Sequence, residues 1–320
     1  MKTLILGLIA PILLATSAFA QDTSAAKEKI QQHCDKLNID VQFDQQYAGN
    51  DNPRQALDLY LPKSRKSEKP IPVVVYIHGG AWISGDKVAV ANRPILAAST
   101  GQYAGISVAY RLSNEAKWPA QIHDCKAAIR WVRGNAEKLG LDADHIAVWG
   151  TSAGGHLVSM LGTSGGVESL EGDLGPYTDK SSRVTCVIDE CGPTDFELAL
   201  TYKDGRPQEE DVAVVGLIGG KLADHVDLTK SSSPVSYVTP DDAPFLILHG
   251  TKDLRVDFSH ATRMDKALEE AGVSSILIPV TDVGHALGHP RMIDRIRSFV
   301  DHHLCGVDVE TPEEPLNPIK

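Results

Sequence analysis

Beyond its first twenty residues the 320-residue sequence has no long apolar run, so no other stretch reads as a membrane span. It has no C-x-x-C pair, which argues against zinc-ribbon and thioredoxin-like readings. Internal repeats and strong linkers are absent too, which favours one domain over an array. Positive charge is in deficit: 31 Lys and Arg against 42 Asp and Glu give a net charge of −11. That balance argues against nucleic acid or anionic lipid as partners and identifies no substrate. Tryptophan is scarce, and Trp82, Trp118, Trp131 and Trp149 all have core or pocket explanations, so no aromatic sugar-binding platform can be read.

The first twenty residues have the form of a secretory signal. Lys2 supplies the positive start, Leu4 to Leu14 the apolar stretch, and Ala18-Phe19-Ala20 a small-x-small cleavage site. Cleavage after Ala20 is expected, with a secreted or periplasmic product of charge −12 once Lys2 is removed from the total of −11. The run is too short, and interrupted by Pro11, for a spanning helix, and no cysteine at the cleavage point suggests a lipid anchor. Five cysteines follow, Cys34, Cys125, Cys186, Cys191 and Cys305. An exported compartment permits disulfides, but the number is odd and the spacing does not give connectivity.

Apolar runs alternate with helical patterns along the rest. Strands are expected at Val41–Phe43, Ala56–Leu61, Ile71–Ile77, Gly105–Tyr110, Ile146–Trp149, Val184–Ile188, Phe245–Leu248 and Ser275–Val280. Helices are expected at Ser24–Leu37, Trp118–Leu139, His156–Leu161, Phe258–Ala271 and Arg291–Leu304, with a turn at Asp142–His145. The alternation implies an α/β domain over residues 21–305, with a mostly parallel sheet of about eight strands covered by helices on both faces. Residues 196–238 are polar and interrupted and stand where an insertion or cap would lie; residues 306–320 are acidic and proline-bearing and are expected to be mobile.

Ligands of such sheets bind beyond the carboxyl ends of the strands, so the residues just after each strand matter most. After Ile146–Trp149 comes Gly150-Thr-Ser152-Ala-Gly154, a G-x-S-x-G turn that lifts a serine hydroxyl into the open. The pattern alone is weak, and Gly162-Thr-Ser164-Gly-Gly166 matches it as well. Only Ser152 has a strand before it and a helix after it; Ser164 reads as a helix stop. A serine nucleophile needs a base, and the base needs an acid that fixes its tautomer. Asp253, directly after Phe245–Leu248, is the acid candidate, with Asp257 and Asp282 as competitors. His285, in a glycine-flanked loop after the last strand, is the base candidate, with His289 as competitor. His285 and His289 also have the i, i+4 spacing of a metal-binding helix, but Ala286 stands where a zincin has Glu, and Gly288 and Pro290 break the helix. Gly79, Gly80 and Ala81 after the Ile71–Ile77 strand, together with Ala153, are the candidate oxyanion donors. Trp82 is expected to line the pocket mouth and touch substrate; His78, His156 and His249 read as structural.

Taken in order, His78-Gly-Gly-Ala-Trp82, Pro119–Val132, Gly150–Gly155, Gly192-Pro-Thr-Asp195, Ser233–Tyr237, His249-Gly-Thr-Lys-Asp253 and Gly284-His285 resemble the α/β-hydrolases of the acetyl esterase, hormone-sensitive-lipase-like and bacterial feruloyl-esterase-like group. Ala81, where the hormone-sensitive-lipase branch carries a third glycine, points to the feruloyl- and acetyl-esterase-like branch. The resemblance implies an α/β-hydrolase fold, Ser152 as nucleophile, Asp253 as acid and His285 as base, and a secreted carboxylesterase that needs no cofactor or metal. Its expected substrates are short-chain or carbohydrate-linked acetyl and feruloyl esters. The alternatives are a serine peptidase of the prolyl-oligopeptidase type, without its propeller-sized amino-terminal region, and a non-catalytic binding protein on the same fold.

Overall fold

A computed structural model describes residues 10–197 and 212–318, with side chains from residue 23 onward. Part of the expected signal (residues 1–9) and part of the expected insertion (198–211) lie outside the described residues. The strands are β1 (Ile39–Gln46), β2 (Ala56–Pro62), β3 (Ile71–Ile77), β4 (Ala104–Val108), β5 (Leu141–Thr151), β6 (Cys186–Glu190), β7 (Phe245–Gly250) and β8 (Ser275–Val280). The helices are α1 (Ala10–Lys36), α2 (Asn92–Ala98), α3 (Ala120–Leu139), α4 (Ala153–Thr163), α5 (Glu168–Glu171), α6 (Val212–Ile218), α7 (Val226–Ser231), α8 (Ser259–Glu270) and α9 (Met292–Cys305). Among the described residues no helix is long and apolar enough to cross a membrane.

The eight strands form one sheet in the order β1-β2-β4-β3-β5-β6-β7-β8. β1, β2 and β4 pair antiparallel, and all pairs from β4 to β8 are parallel. The two-residue period of the strands sorts the core. Val73, Val75, Ile77, Ile146, Val148, Val187, Phe245 and Ile247 pack on one face beneath α3, α4 and α8. Val74, Tyr76, Ala147, Trp149, Ile188, Leu246 and Leu248 pack on the other with α9. Burial on both faces is why these strands read as continuous apolar runs. From β3 the chain goes to β4 on one side; from β5 it continues to β6 on the other. The order therefore reverses between β3 and β5, and a crevice opens there at the carboxyl end.

Three local features differ from the expectations or add to them. Asp142–His145 is no separate turn but a bulge inside β5: the register with β3 jumps from Ile71–Leu141 to Val73–Ile146. Asp142 stabilises it by accepting from the N–H of Asp144 and from His145 Nδ1, at 3.0 and 2.9 Å. α2 lies in a stretch for which no element was expected; its Pro94 sits in the first turn, where proline is tolerated. The tail is anchored at Leu316. Leu316 is fully buried in the cluster under α9, its N–H donates to Pro279 O, and its carbonyl accepts from the N–H of Thr281. All five cysteines are free thiols.

Buried histidines fasten the loops at the carboxyl end. His78 stacks on Tyr110 at 4.4 Å and donates from Nδ1 to Gly79 O. His156 donates from Nε2 to Ser232 O and accepts from Trp82 Nε1. His260 Nδ1 accepts from the N–H groups of Thr194 and Asp195. Burial disfavours their charged forms, lowering His78 and His156 to about 4 and His260 to about 3.

Two outcomes are expected. Leu316→Ala should lower the free energy of unfolding by about 2–4 kcal/mol in urea titration; a change within experimental error would mean the tail does not dock. The three histidines are depressed below their unfolded value of roughly 6.5, so their stabilisation is full above that pH. It falls by about 1.4 kcal/mol per pH unit for each histidine as the pH drops toward 4. Stability that stays flat from pH 7 to 4 would contradict their burial as neutral rings.

Candidate active site

Ser152 stands between β5 and α4 with φ 58° and ψ −120°, a conformation strained for a residue with a side chain. The turn is held from three sides. The N–H of Ser152 donates to Glu190 O at 2.8 Å, and its carbonyl accepts from the N–H of His156 at 2.9 Å. Gly154 lies so close to β3 that a Cβ there would sit 2.1 Å from Ile77 O. Only glycine permits that approach, which explains why the motif carries one at this position.

The structure brings the three expected side chains together. Ser152 Oγ lies 2.8 Å from His285 Nε2, and His285 Nδ1 lies 2.7 Å from Asp253 Oδ2. The carboxylate fixes the tautomer: Nδ1–H donates to Asp253, leaving Nε2 to accept from the serine hydroxyl. Burial works against ionisation of Asp253, but His249 and His285 and the N–H groups of Val256 and Arg255 outweigh it and hold the carboxyl well below the usual range. Those N–H groups donate to Oδ1 at 3.0 and 2.8 Å, and His249 Nε2 stands 3.4 Å from Oδ2.

The competing residues are engaged elsewhere. Asp257 caps the N–H of Ser259, and Asp282 pairs with Lys252 at 2.7 Å. His289 uses both ring nitrogens, donating to Asn317 O and accepting from the N–H of Arg291, so it cannot share a metal with His285 in this arrangement. Ser164 is buried at the end of α4 and bonds Met160 O. Cys191 Sγ, Asp253 and His285 do cluster, with one donor atom from each within 4.8 Å of the others. Burial pushes that thiol up, and Asp253 and His285 are already joined by a proton, so the set is poorly disposed to a cation.

Beside Ser152 the chain after β3 runs through three left-handed residues, Gly80 (φ 115°), Ala81 (φ 54°) and Trp82 (φ 58°). Gly80 O accepts from the N–H groups of Ile83 and Ser84, which closes the loop. Gly79, Gly80 and Ala81 line the cleft, and among the described residues no acceptor takes the N–H of Gly80 or Ala81. Ala153 is the first residue of α4, so its N–H has no intrahelical acceptor either. Trp82 departs from its expected place at the mouth. Its indole is 3% exposed, its N–H is spent on His156, and it forms the wall of a small inner pocket against Phe196.

Two cavities meet at Ser152 and His285. The inner one, about 50 Å³, has Trp82, Pro193, Phe196, Val214 and Val256 in its wall together with the polar groups of Ser152, His260 and His285. The outer one is an open cleft of about 870 Å³ with polar groups from Tyr76, Ser84, Asn92, Arg93, Thr151 and Glu190. Arg255 lines both. Sequence reading missed Glu190, Arg93 and Arg255. Glu190 was the legible one, an ionisable residue ending a buried strand; its carboxylate accepts from Trp149 Nε1 and Thr151 Oγ1, both at 2.8 Å.

Comparison with known proteins gives the family. The sequence is 31% identical to Esterase LipC of Mycobacterium tuberculosis over 237 residues, 73% of this chain and 57% of LipC. The chain thus spans a little over half the length of that relative. A solved structure described as a truncated form of carbohydrate esterase from gut microbiota superposes with a TM-score of 0.77 at 30% identity, covering 83% of this chain and 96% of that one. Esterase B from Lactobacillus rhamnosis shares the fold, with a TM-score of 0.69 at 21% identity over 91% of this chain and 96% of its own. Residues 57–268 match the family BD-FAE, so the chain belongs to the BD-FAE family and has the α/β-hydrolase fold that its motifs implied.

Proposed function

We propose that the protein is an exported serine carboxylesterase that removes short acyl groups, acetyl foremost, from carbohydrate alcohols. The observation that carries this reading is the relay from Ser152 Oγ through His285 to Asp253, at 2.8 and 2.7 Å, opening onto the cleft. His285 Nε2 takes the hydroxyl proton as Ser152 Oγ attacks the ester carbonyl. The carbonyl oxygen becomes an oxyanion facing the N–H groups of Gly80, Ala81 and Ala153, each worth about 3 kcal/mol to the transition state. His285 returns the proton to the departing alcohol. A water molecule, deprotonated by the same nitrogen, then cleaves the acyl-serine. No step requires a metal or cofactor.

The two cavities support an assignment of sides. The narrow inner pocket, about 50 Å³, has room only for a short acyl group, and the wide outer cleft, about 870 Å³, has room for the larger alcohol. A feruloyl arm fits the inner pocket poorly. The names of LipC and of the gut carbohydrate esterase support ester hydrolysis and, more narrowly, a carbohydrate ester. Lys2, the Leu4–Leu14 stretch and Ala18-Phe19-Ala20 support export with cleavage after Ala20.

Hydrolysis of p-nitrophenyl acetate, butyrate and octanoate, beside acetylated xylan and methyl ferulate, tests the reading. The expected ranking is acetate over butyrate over octanoate, with acetylated xylan cleaved faster than methyl ferulate. Ser152→Ala should lower kcat by about 10⁴-fold or more, and Asp253→Asn by roughly 10⁴-fold. Inertness toward every ester, with cleavage of proline-containing peptides instead, would replace the esterase by a peptidase.

A further inference from the structure

The outer cleft carries charge that the proposed chemistry does not use. Arg93 and Arg255 both line it, and Glu190 is its one carboxylate among the described residues. Glu190 is 1% exposed and already accepts from Trp149 and Thr151. The lining therefore has a positive balance in a chain whose net charge is −11.

Arg93 is held but not consumed. Its guanidinium carbon lies 4.7 Å from the centre of the Trp149 ring and 6.0 Å from that of Tyr76. Its nearest carboxylate oxygen, on Glu190, stands 3.7 Å away, beyond hydrogen-bond distance. Stacking and this loose ion pair restrict the planar group, while a quarter of the side chain remains exposed. Arg255 is exposed and lies at the junction of the two cavities. Its backbone N–H is fixed by Asp253 at 2.8 Å, and among the described residues no carboxylate pairs with its guanidinium. The restrained Arg93 fork, with unused donors, is the arrangement that recognises a carboxylate, and Arg255 adds a second positive group to the same cleft. Arg93 stands in the outer cleft alone, the cavity assigned to the alcohol, and Arg255 stands where that cleft meets the inner pocket.

We propose that Arg93 and Arg255 form an anion subsite, and that the alcohol half of the substrate bears a carboxylate, as in an acylated uronic-acid sugar. The inference rests on the proposed esterase reading for the side of the ester it concerns. Because counter-ions weaken exposed charge pairs, the preference should shrink as salt is raised.

The test separates binding from catalysis. Methyl glucuronoside and methyl glucoside, neither of which contains an ester, are titrated into the wild-type protein and followed by NMR. The expected result is at least about tenfold tighter binding of the acidic sugar. That ratio should fall toward one in Arg255→Gln and Arg93→Gln, stay reduced in Arg93→Lys, which keeps the charge but loses the fork, and decline with added sodium chloride. Equal or weaker binding of the acidic sugar by wild type, or a preference that survives both glutamine substitutions, overturns the proposal. Hydrolysis of p-nitrophenyl acetate by the same preparation reports separately on the esterase reading. If that ester is cleaved while the sugars bind alike, the anion subsite fails alone; if the acidic sugar is preferred while no ester is cleaved, the subsite stands and the esterase reading fails.

Discussion

The backbone of Ser152 is forced to φ 58° and ψ −120°, and the surrounding structure is arranged to keep it there. A residue in that conformation costs about 1–3 kcal/mol, so it persists only where neighbours over-determine it. Here they do. β6 holds the amide through Glu190 O, α4 holds the carbonyl through His156, and Gly154 lets the helix press against the end of β3. The strain places Oγ within reach of His285 while aiming the free N–H of the first α4 residue at the same space. The glycine at 154 follows from that one local requirement.

At the same end of the sheet neutral imidazoles fasten the loops, beside charged pairs such as Lys252–Asp282. His78, His156 and His260 each bond to loop backbone, and none can gain a proton without breaking that bond or charging a buried ring. His285 differs in one respect that matters: its partner is a carboxylate, Asp253, kept ionised by His249 and two backbone amides. Four histidines on neighbouring loops thus divide between holding backbone and handling a proton. Partner chemistry, not the histidine itself, decides which.

Much of this was legible because parallel strands buried on both faces write themselves as apolar runs, and ligand groups gather just past their ends. Ser152, Asp253 and His285 could be named from that rule, and Asp257, Asp282 and His289 could not be dismissed without seeing their partners. What stayed hidden depends on tertiary approach. Arg93 lies on α2, and Arg255 follows the acid; nothing in sequence spacing says that they face one cleft. Trp82 was expected at the mouth, but after the left-handed run through Gly80 and Ala81 its ring lies inward against His156. The tail looked mobile by composition, and one leucine, Leu316, is enough to dock it against β8.

The central claim is that Ser152 is the nucleophile because its turn and His285 activate it together. Labelling with a fluorophosphonate, followed by peptide mass spectrometry, measures this without assuming a substrate. The account predicts a single adduct on Ser152, absent in Ser152→Ala and strongly slowed in His285→Ala. An adduct on Ser164 or on another residue, or labelling of Ser152 at an unchanged rate without His285, would contradict it.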